Sequence, residues 1–225
     1  MRKSILSLVF SVLLATMGFT TSSNAIGLEG LGIGFSIGTA GYYAIGEEKT
    51  DNQKSGEDFA KDAGAFQHDI GSVIVEYTAG PVTIGIDYAI EDITTPEATN
   101  VQWTSDSSKV LLTNNVKATF EDHVTLYAIV PVFHALYLKA GVIHVDIATQ
   151  ENLATGGNYG NTDTTGLTVG FGLSHELKDG LSVRAEALYA EYDNVTVTNS
   201  KNTTTSVTVT DMMGASGRIS IVKTF

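Results

Sequence analysis

Apolar and polar residues alternate with a period of two along most of the chain after residue 29. In the segment Gly30–Ile45, Leu31, Ile33, Phe35 and Ile37 fall on one face, while glycine, serine and alanine fall on the other. Side chains point to opposite faces in turn along a strand, so this alternation predicts strands with one apolar face. We predict eight strands, at about 30–45, 69–79, 82–90, 116–130, 135–148, 166–174, 181–189 and 206–225.

The connections between these strands alternate in length. The long ones are predicted at 47–68, 91–114, 149–164 and 193–204, and the short ones at Gly80–Pro81, Pro131–His134 and Lys178–Gly180. Long connections at one end and tight turns at the other are typical of membrane barrels, whose long loops lie outside the cell. The pattern therefore predicts an all-β, eight-stranded antiparallel up-and-down transmembrane β-barrel.

The fifth predicted strand has two competing phases. Leu136, Leu138, Ala140 and Val142 form one apolar set, but Ile143, Val145 and Ile147 follow in the other phase. A β-bulge inserts one residue and so changes the phase of a strand. We therefore predict a bulge near Val142.

The N-terminus has the pattern of a secretory signal. Arg2 and Lys3 precede an apolar run of eleven residues, Ile5 to Ala15, which is shorter than the ~20 residues that a membrane-spanning helix needs. Ser23-Asn24-Ala25 places small residues at a cleavage site. We expect cleavage after Ala25, which leaves residues 26–225 as one barrel domain.

Charge and cysteine content exclude some classes of partner and of binding site. Without Arg2 and Lys3 the chain has 11 basic and 25 acidic residues, a net charge of −14. Nucleic acid is not an expected partner, because binding it needs a basic surface. The chain has no cysteine, which excludes disulfides and thiolate metal sites.

Charged residues in the middle of strands fall on the polar face, which points inward in a membrane barrel. They predict a charge network in the lumen, formed by Glu76, Asp87, Lys139, Glu176, Arg184, Glu186 and Arg218. We expect Arg184 and Arg218 to be paired with carboxylates, and Tyr137 and Lys139 to reach the glycine-lined wall of the first strand. Eight strands leave an interior that side chains fill, so a packed plug is favoured over a pore.

Aromatic residues are predicted at strand ends, where they would form interfacial girdles. The set is Tyr43, Tyr77, Tyr88, Tyr127, Phe133, Tyr137, Tyr189 and Phe225.

No catalytic or metal-binding pattern is found. Ser174, His175 and Glu176 are adjacent, but neighbouring residues on a strand point to opposite faces, so Ser174 and His175 cannot meet. The remaining histidines show no metal-ligand spacing. We expect no enzymatic activity, no cofactor and no metal.

The final strand ends on an aromatic residue, and Ile219, Ile221 and Phe225 share its apolar phase. With the signal, the strands and the loop rhythm, this resembles the small outer-membrane barrels of the OmpA transmembrane domain, OmpX and opacity-protein type. Their usual terminal pattern has an aromatic residue and a glycine where this chain has Lys223 and Ser220. The resemblance implies that these three apolar residues form the signal read by the barrel-assembly machinery.

The same resemblance implies a location and partners. We expect a monomer in the outer membrane of a Gram-negative bacterium, in contact with its lipids and lipopolysaccharide. The expected role is structural in the envelope, or interaction with the surroundings through the external loops. A narrow porin-like solute channel and a lipid-modifying enzyme are the alternatives.

Overall fold

A computed structural model describes residues 29–49, 60–103, 109–154 and 156–225. The predicted signal sequence and cleavage site, residues 1–25, lie outside this range. The described residues form strands β1 to β11, which are Leu31–Lys49, Ala60–Ala79, Val82–Ala89, Ile93–Thr94, Ala98–Trp103, Leu111–Phe133, Leu136–Leu153, Thr162–Glu176, Leu181–Tyr192, Val195–Thr198 and Ser206–Thr224.

These strands form a closed antiparallel ring. The order around the ring is β1, β2, β3, β6, β7, β8, β9 and β11, and β11 pairs with β1 from Gly32↔Thr224 to Lys49↔Ser206. The short strands β4 and β5 pair with β6 beyond the end of β3, and β10 pairs with β11 beyond the end of β9. If β3–β5 are counted as one strand of the wall and β9–β10 as another, the wall has eight strands. The predicted up-and-down eight-stranded barrel is confirmed.

The two faces of the wall differ in polarity. A belt of large apolar side chains is exposed on the outside, including Phe35, Ile37, Ile84, Ile86, Leu126, Val130, Leu138, Val142, Leu167, Val169, Phe171, Leu173, Ile219 and Ile221. Buried charged residues face the lumen instead. An apolar belt around a polar interior is the arrangement that a barrel in lipid requires.

Within the described ranges, no helix has the length and hydropathy to span a membrane.

The predicted long loops are shorter than expected, because strands continue into them. β1 extends to Lys49 and β2 begins at Ala60, while β4, β5 and β10 lie inside segments predicted as loops. Polar composition identifies residues outside lipid, but antiparallel pairing can continue there, since backbone bonds do not depend on side-chain polarity. We call the end of the barrel with these extended hairpins the long-loop end.

Two of the three short turns lie where the sequence predicts them. β2 and β3 are joined by Gly80–Pro81, and β8 and β9 by a turn with Asp179 and Gly180 at positive φ. The third prediction was wrong, because β6 continues to Phe133 and the turn is His134–Ala135. Pro131 is tolerated inside β6 because the register shifts beside it, between Pro131 and Phe133, where a missing donor does least harm.

The predicted bulge near Val142 is also wrong. β7 pairs with both neighbours in unbroken register around this residue, and the irregularity lies opposite, in β6 between Glu121 and Val124. Asp122 has φ 49° there. As a result Ile143, Val145 and Ile147 continue the inward phase of Lys139 and are buried.

One part of the wall lacks a ladder. β2 pairs with β3 only over Ser72–Ala79, and one further bond joins Ile90 N to Gly71 O at 2.9 Å. Beyond it, β4 and β5 pair with β6 and not with β2, among the residues that the structure describes. We call the line between β2 residues 60–71 and β4–β5 the seam.

The orientation in the membrane gives a direct test. We expect a cysteine at Ser200, in the exposed β10–β11 connection, to react with a membrane-impermeant thiol reagent on intact cells. A cysteine at Asp179, in the short β8–β9 turn, should react only after permeabilisation. The chain has no native cysteine, so each variant reports one position. Labelling of position 179 but not 200 on intact cells would reverse the predicted topology.

Candidate functional site

Three ion pairs and two tyrosines fill the lumen at the level of the apolar belt. In the first pair, Arg184 donates to both carboxylate oxygens of Glu76, at 2.8 and 2.6 Å. Glu76 is 1% exposed and Arg184 12%. Tyr127 donates its hydroxyl to the same carboxylate at 3.0 Å, so this buried acid has three donors.

The second pair joins Lys139 to Glu186, at 3.2 and 3.1 Å, and both side chains are 2% exposed. Tyr137 donates to Glu186 at 2.8 Å, and the Lys139 ammonium lies 4.1 Å from the centre of the Tyr127 ring. The expectation that Tyr137 and Lys139 reach the wall of the first strand was wrong, because both are held by Glu186 on β9.

A glycine creates the space for each tyrosine. Gly85 is paired between Glu76 and Tyr127, and Gly172 is paired between Tyr137 and Glu186. A Cβ at Gly85 would lie 2.5 Å from the Tyr127 hydroxyl. Each tyrosine therefore crosses over a glycine to reach the glutamate two strands away.

The third pair is looser. Arg218 donates one bond to Asp87, at 3.0 Å, and its Nε is buried without a hydrogen-bond partner in the described part of the chain. Glu176, predicted as part of the network, is exposed at the end of β8. The prediction for Glu176 was wrong because this last strand position lies past the enclosed part of the lumen.

The wall of β1 is covered from other strands. A Cβ at Gly32 would lie 2.8 Å from Glu76 Cγ, and one at Gly38 would lie 2.8 Å from Arg218 Cγ. The inward glycines of β1 thus leave the room that the long charged side chains occupy. We call these three ion pairs with Tyr127 and Tyr137 the plug.

A polar layer lies above the plug, towards the long-loop end. His123 Nε2 and the Tyr192 hydroxyl are 3.2 Å apart, and Tyr42 stacks on Phe66 with ring centroids 5.1 Å apart. Between this layer and the plug is a gap of about 30 Å³ that Arg218 and Asp87 also line. We call Tyr42, His123 and Tyr192 the floor.

Above the floor the lumen opens into an apolar cavity of about 600 Å³. Its apolar lining includes Ala44, Phe66, Ile93, Ala118, Phe120, Val145, Ile147, Val195, Val197, Val207, Val209 and Met212. Ile147, Val195 and Met212 form one buried cluster within it. The lumen therefore changes from ion-paired to apolar along its length.

The seam borders this cavity. Gly64 and Phe66 line it from β2, and Ile93, Pro96 and Ala98 line it from the opposite side. At the base of the seam the Tyr88 hydroxyl donates to Asp122 at 2.8 Å, next to the β6 bulge. In the part of the chain that the structure describes, one side of the cavity is thus walled by strands that no backbone ladder joins.

Tyr159, in the β7–β8 connection, lines the upper cavity. Burial raises the pKa of its hydroxyl, and the nearby Glu48 and Glu151 carboxylates raise it further, while a hydrogen bond with Asn199 opposes them. This side chain is therefore neutral at physiological pH.

The floor, the cavity and the seam were missed from the sequence. Val145 and Ile147 were assigned to a shifted phase, and the tyrosines were misplaced, since Tyr88, Tyr127 and Tyr137 are buried and not in interfacial girdles. One available signal was the outward phase of β7, which turns polar at His144 and Asp146. It marks where the strand leaves lipid, and beyond that point the apolar inward residues line the cavity.

The serine and histidine that the sequence offers as catalytic candidates do not face one another. Ser174 and His175 occupy successive positions of β8, and His144 pairs with Asp146 at 3.4 Å on the outer face, with 43% and 36% of their side chains exposed. In the described ranges no three histidine, aspartate or glutamate side chains gather as metal ligands.

No family model matches the sequence, and no curated protein matches it. Among solved structures, the outer membrane protein OprG from Pseudomonas aeruginosa superposes with a TM-score of 0.50 at 13% identity, over 88% of this chain and 98% of that one. The fold is that of an outer-membrane β-barrel. The outer membrane protease OmpT from Escherichia coli matches this barrel with a TM-score of 0.49 at 8% identity, over 92% of this chain and 100% of that one.

Proposed function

We propose that this outer-membrane barrel binds small apolar molecules in the cavity at its long-loop end. The observation that carries the proposal is the cavity itself, about 600 Å³ with predominantly apolar side chains around it. Ligand pockets typically have volumes of ~300–1,000 Å³ and mostly apolar linings. An apolar molecule that enters would remove both its own surface and the cavity wall from water, which stabilises the complex.

The plug argues against a water-filled solute channel. Its six charged side chains form three buried pairs, and the tyrosines occupy the space between them. Moving an ion through this layer would require breaking pairs whose members are poorly solvated. We therefore propose that the lumen is closed at the plug and that its function lies above it.

The seam favours a further step, the release of the bound molecule sideways. It borders the cavity where the outward face of β2 changes from Val73 to the polar Asp69 and Gln67, at the edge of the apolar belt. A molecule passing between β2 and β4 would reach the membrane interface without crossing the plug. We propose that apolar molecules pass from the cavity into the outer leaflet by this route.

The remaining roles are proposed from the fold, the apolar belt and the signal pattern of the sequence. We propose that the chain is exported, cleaved near Ala25 and assembled as a monomer by the barrel-assembly machinery, with lipids and lipopolysaccharide around it. The external loops contribute the walls of the cavity, so the expected interaction through loops becomes capture of a small molecule. We also propose that the barrel is not an enzyme, because Ser174 and His175 occupy successive positions of β8 and so point to opposite faces of the wall, and the buried imidazole of His123 has the Tyr192 hydroxyl as its partner.

Filling the cavity should abolish binding. We expect Ala118→Trp to reduce the binding of the neutral fluorophore N-phenyl-1-naphthylamine by at least ~10-fold, because the indole would occupy the space beside Phe120 and Ile147. Binding would be measured by fluorescence with the purified barrel in lipid nanodiscs, after subtraction of empty nanodiscs.

The matched control is Ala140→Trp, since Ala140 is exposed on the lipid face of β7 and the same side chain is introduced there. It should bind the fluorophore like the wild type. Equal affinity of the two variants would contradict binding in this cavity. Faster uptake of the fluorophore by cells that produce the wild type, but not Ala118→Trp, would support release through the seam.

A further inference from the structure

The ligand cavity does not end on an apolar surface. Tyr42, His123 and Tyr192 line both the cavity and the small gap beneath it, so these three side chains are the shared boundary of the two spaces. The hydroxyl and imidazole groups of this floor can donate or accept hydrogen bonds. A ligand without any polar atom would leave them without a ligand partner.

Arg218 supplies an unused donor just below the floor. Its side chain is 10% exposed, its Nη1 donates to Asp87 Oδ2, and its Nε is buried without a partner in the described part of the chain. Arg184, by contrast, uses two nitrogens on Glu76. A buried donor without an acceptor is costly, so an acceptor that reaches Arg218 gains more than one that displaces an existing bond.

The charge of the plug determines which acceptor fits. Glu76, Asp87 and Glu186 are balanced by Lys139, Arg184 and Arg218, and every pair is made. A carboxylate entering this layer would add an unbalanced buried charge, whereas an uncharged oxygen would not.

We propose that the ligand is an amphipathic molecule with an apolar body in the cavity and one uncharged oxygen group, such as an alcohol, aldehyde or ketone, directed through the floor towards Arg218. This inference rests on the proposed function, since it assigns the chemistry of a ligand for the same cavity. It adds a prediction about selectivity that an apolar cavity alone would not give.

Three probes of equal chain length test it, namely decane, 1-decanol and decanoate. Each would compete with the bound fluorophore in nanodiscs at pH 8. The concentration of each probe would be expressed as probe molecules per lipid molecule in the bilayer, so that differences in partitioning between water and bilayer do not affect the comparison. We expect 1-decanol to compete at about one tenth of the concentration of decane, the effect of one hydrogen bond to a charged donor. Decanoate should compete less well than 1-decanol.

Arg218→Lys keeps a positive charge to pair with Asp87 but removes Nε. In this variant 1-decanol and decane should compete at nearly equal concentrations. Arg184→Lys is the matched control, because it makes the same change in the neighbouring pair and should retain the preference for 1-decanol. Tyr192→Phe, which removes one floor hydroxyl, should weaken 1-decanol and leave decane unchanged. Competition by decane in each variant shows that the cavity is folded.

Equal competition by decane and 1-decanol in the wild type would overturn this inference and leave the proposed function standing. Stronger competition by decanoate than by 1-decanol would overturn the uncharged head group. If none of the three displaces the fluorophore, the proposed function fails and this inference fails with it.

Discussion

Replacement of Arg184 by alanine is expected to destabilise the folded barrel by about 3–5 kcal/mol, the usual cost of removing one partner of a buried ion pair. The size of the effect follows from Glu76, which is 1% exposed and would keep only Tyr127 as a hydrogen-bond donor among its observed partners. Its charge would then be buried without a counter-ion. Urea unfolding of the barrel in detergent or lipid, followed by tyrosine and tryptophan fluorescence, measures the change.

The control removes both charges together. In Arg184→Met with Glu76→Gln, the amide oxygen can still accept from Tyr127, and no unpaired charge remains. We expect this double variant to regain most of the stability lost in Arg184→Ala, because replacing a whole buried pair is often nearly neutral. An unfolding midpoint of Arg184→Ala equal to that of the wild type would mean that water reaches Glu76. The solute-channel alternative would then be favoured over the plug.

The strand pattern was predictable because lipid requires an apolar outward face on every strand of the wall. Leu167, Val169, Phe171 and Leu173 must face outward, and Thr168 and Gly170 then face the lumen without further information. The lumen charges follow from the same parity, which is why Glu76, Asp87, Lys139, Arg184, Glu186 and Arg218 could be named. Their partners could not, since pairing depends on register across the ring and not on position along a strand.

The errors arise where a strand leaves lipid. Around Ile143 the inward residues become apolar, and periodicity alone cannot distinguish an apolar cavity wall from a lipid-facing surface, so a bulge was predicted in β7. The actual bulge, at Asp122 in β6, has no apolar signature. It lies where Tyr88 donates to Asp122 and where the partner of β6 changes from β3 to β4. The seam is likewise a property of missing pairings, which sequence periodicity does not record.

Two glycines mark positions from which a side-chain contact across the sheet could be predicted. Gly85 and Gly172 each lie between a tyrosine and a glutamate on the two adjacent strands, so the three residues form a row across the sheet. Once strand register is known, such a row predicts that the tyrosine hydroxyl reaches the glutamate. Register in turn is fixed by the tight turns Gly80–Pro81 and Asp179–Gly180.

Backbone hydrogen bonds of Phe225 help to close the ring. Phe225 N donates to Leu31 O at 2.9 Å, and Gly30 N donates to Phe225 O at 2.8 Å. Phe225 is 49% exposed, the Lys223 ammonium lies 5.6 Å from the centre of its ring, and Ile219 and Ile221 are exposed on the same face. The aromatic ring is therefore available at the short-turn end, where interfacial aromatic residues are favoured.

We expect deletion of Phe225 to lower the amount of barrel assembled in the outer membrane several-fold, and to slow refolding in detergent much less. Phe225→Ala separates the two roles of the residue, because it keeps both backbone bonds and removes the ring. If the ring is the assembly signal, Phe225→Ala should assemble as poorly as the deletion, and Phe225→Trp should assemble like the wild type. Heat-modifiable mobility of outer-membrane fractions, at matched synthesis, measures the assembled form.

Ile219 and Ile221 supply the matched comparison, since they share the exposed face of Phe225 but lie further along β11 from the short-turn end. Alanine at Ile219 should lower assembly less than Phe225→Ala, because Ile219 belongs to the same expected signal but lacks the interfacial aromatic ring, and it should reduce stability in detergent only slightly. Assembly of Phe225→Ala at wild-type levels would refute the ring as the signal and leave ring closure by the backbone as the role of Phe225. Loss of assembly in the deletion alone would then come from the two lost bonds to Leu31 and Gly30, which the same pair of variants distinguishes.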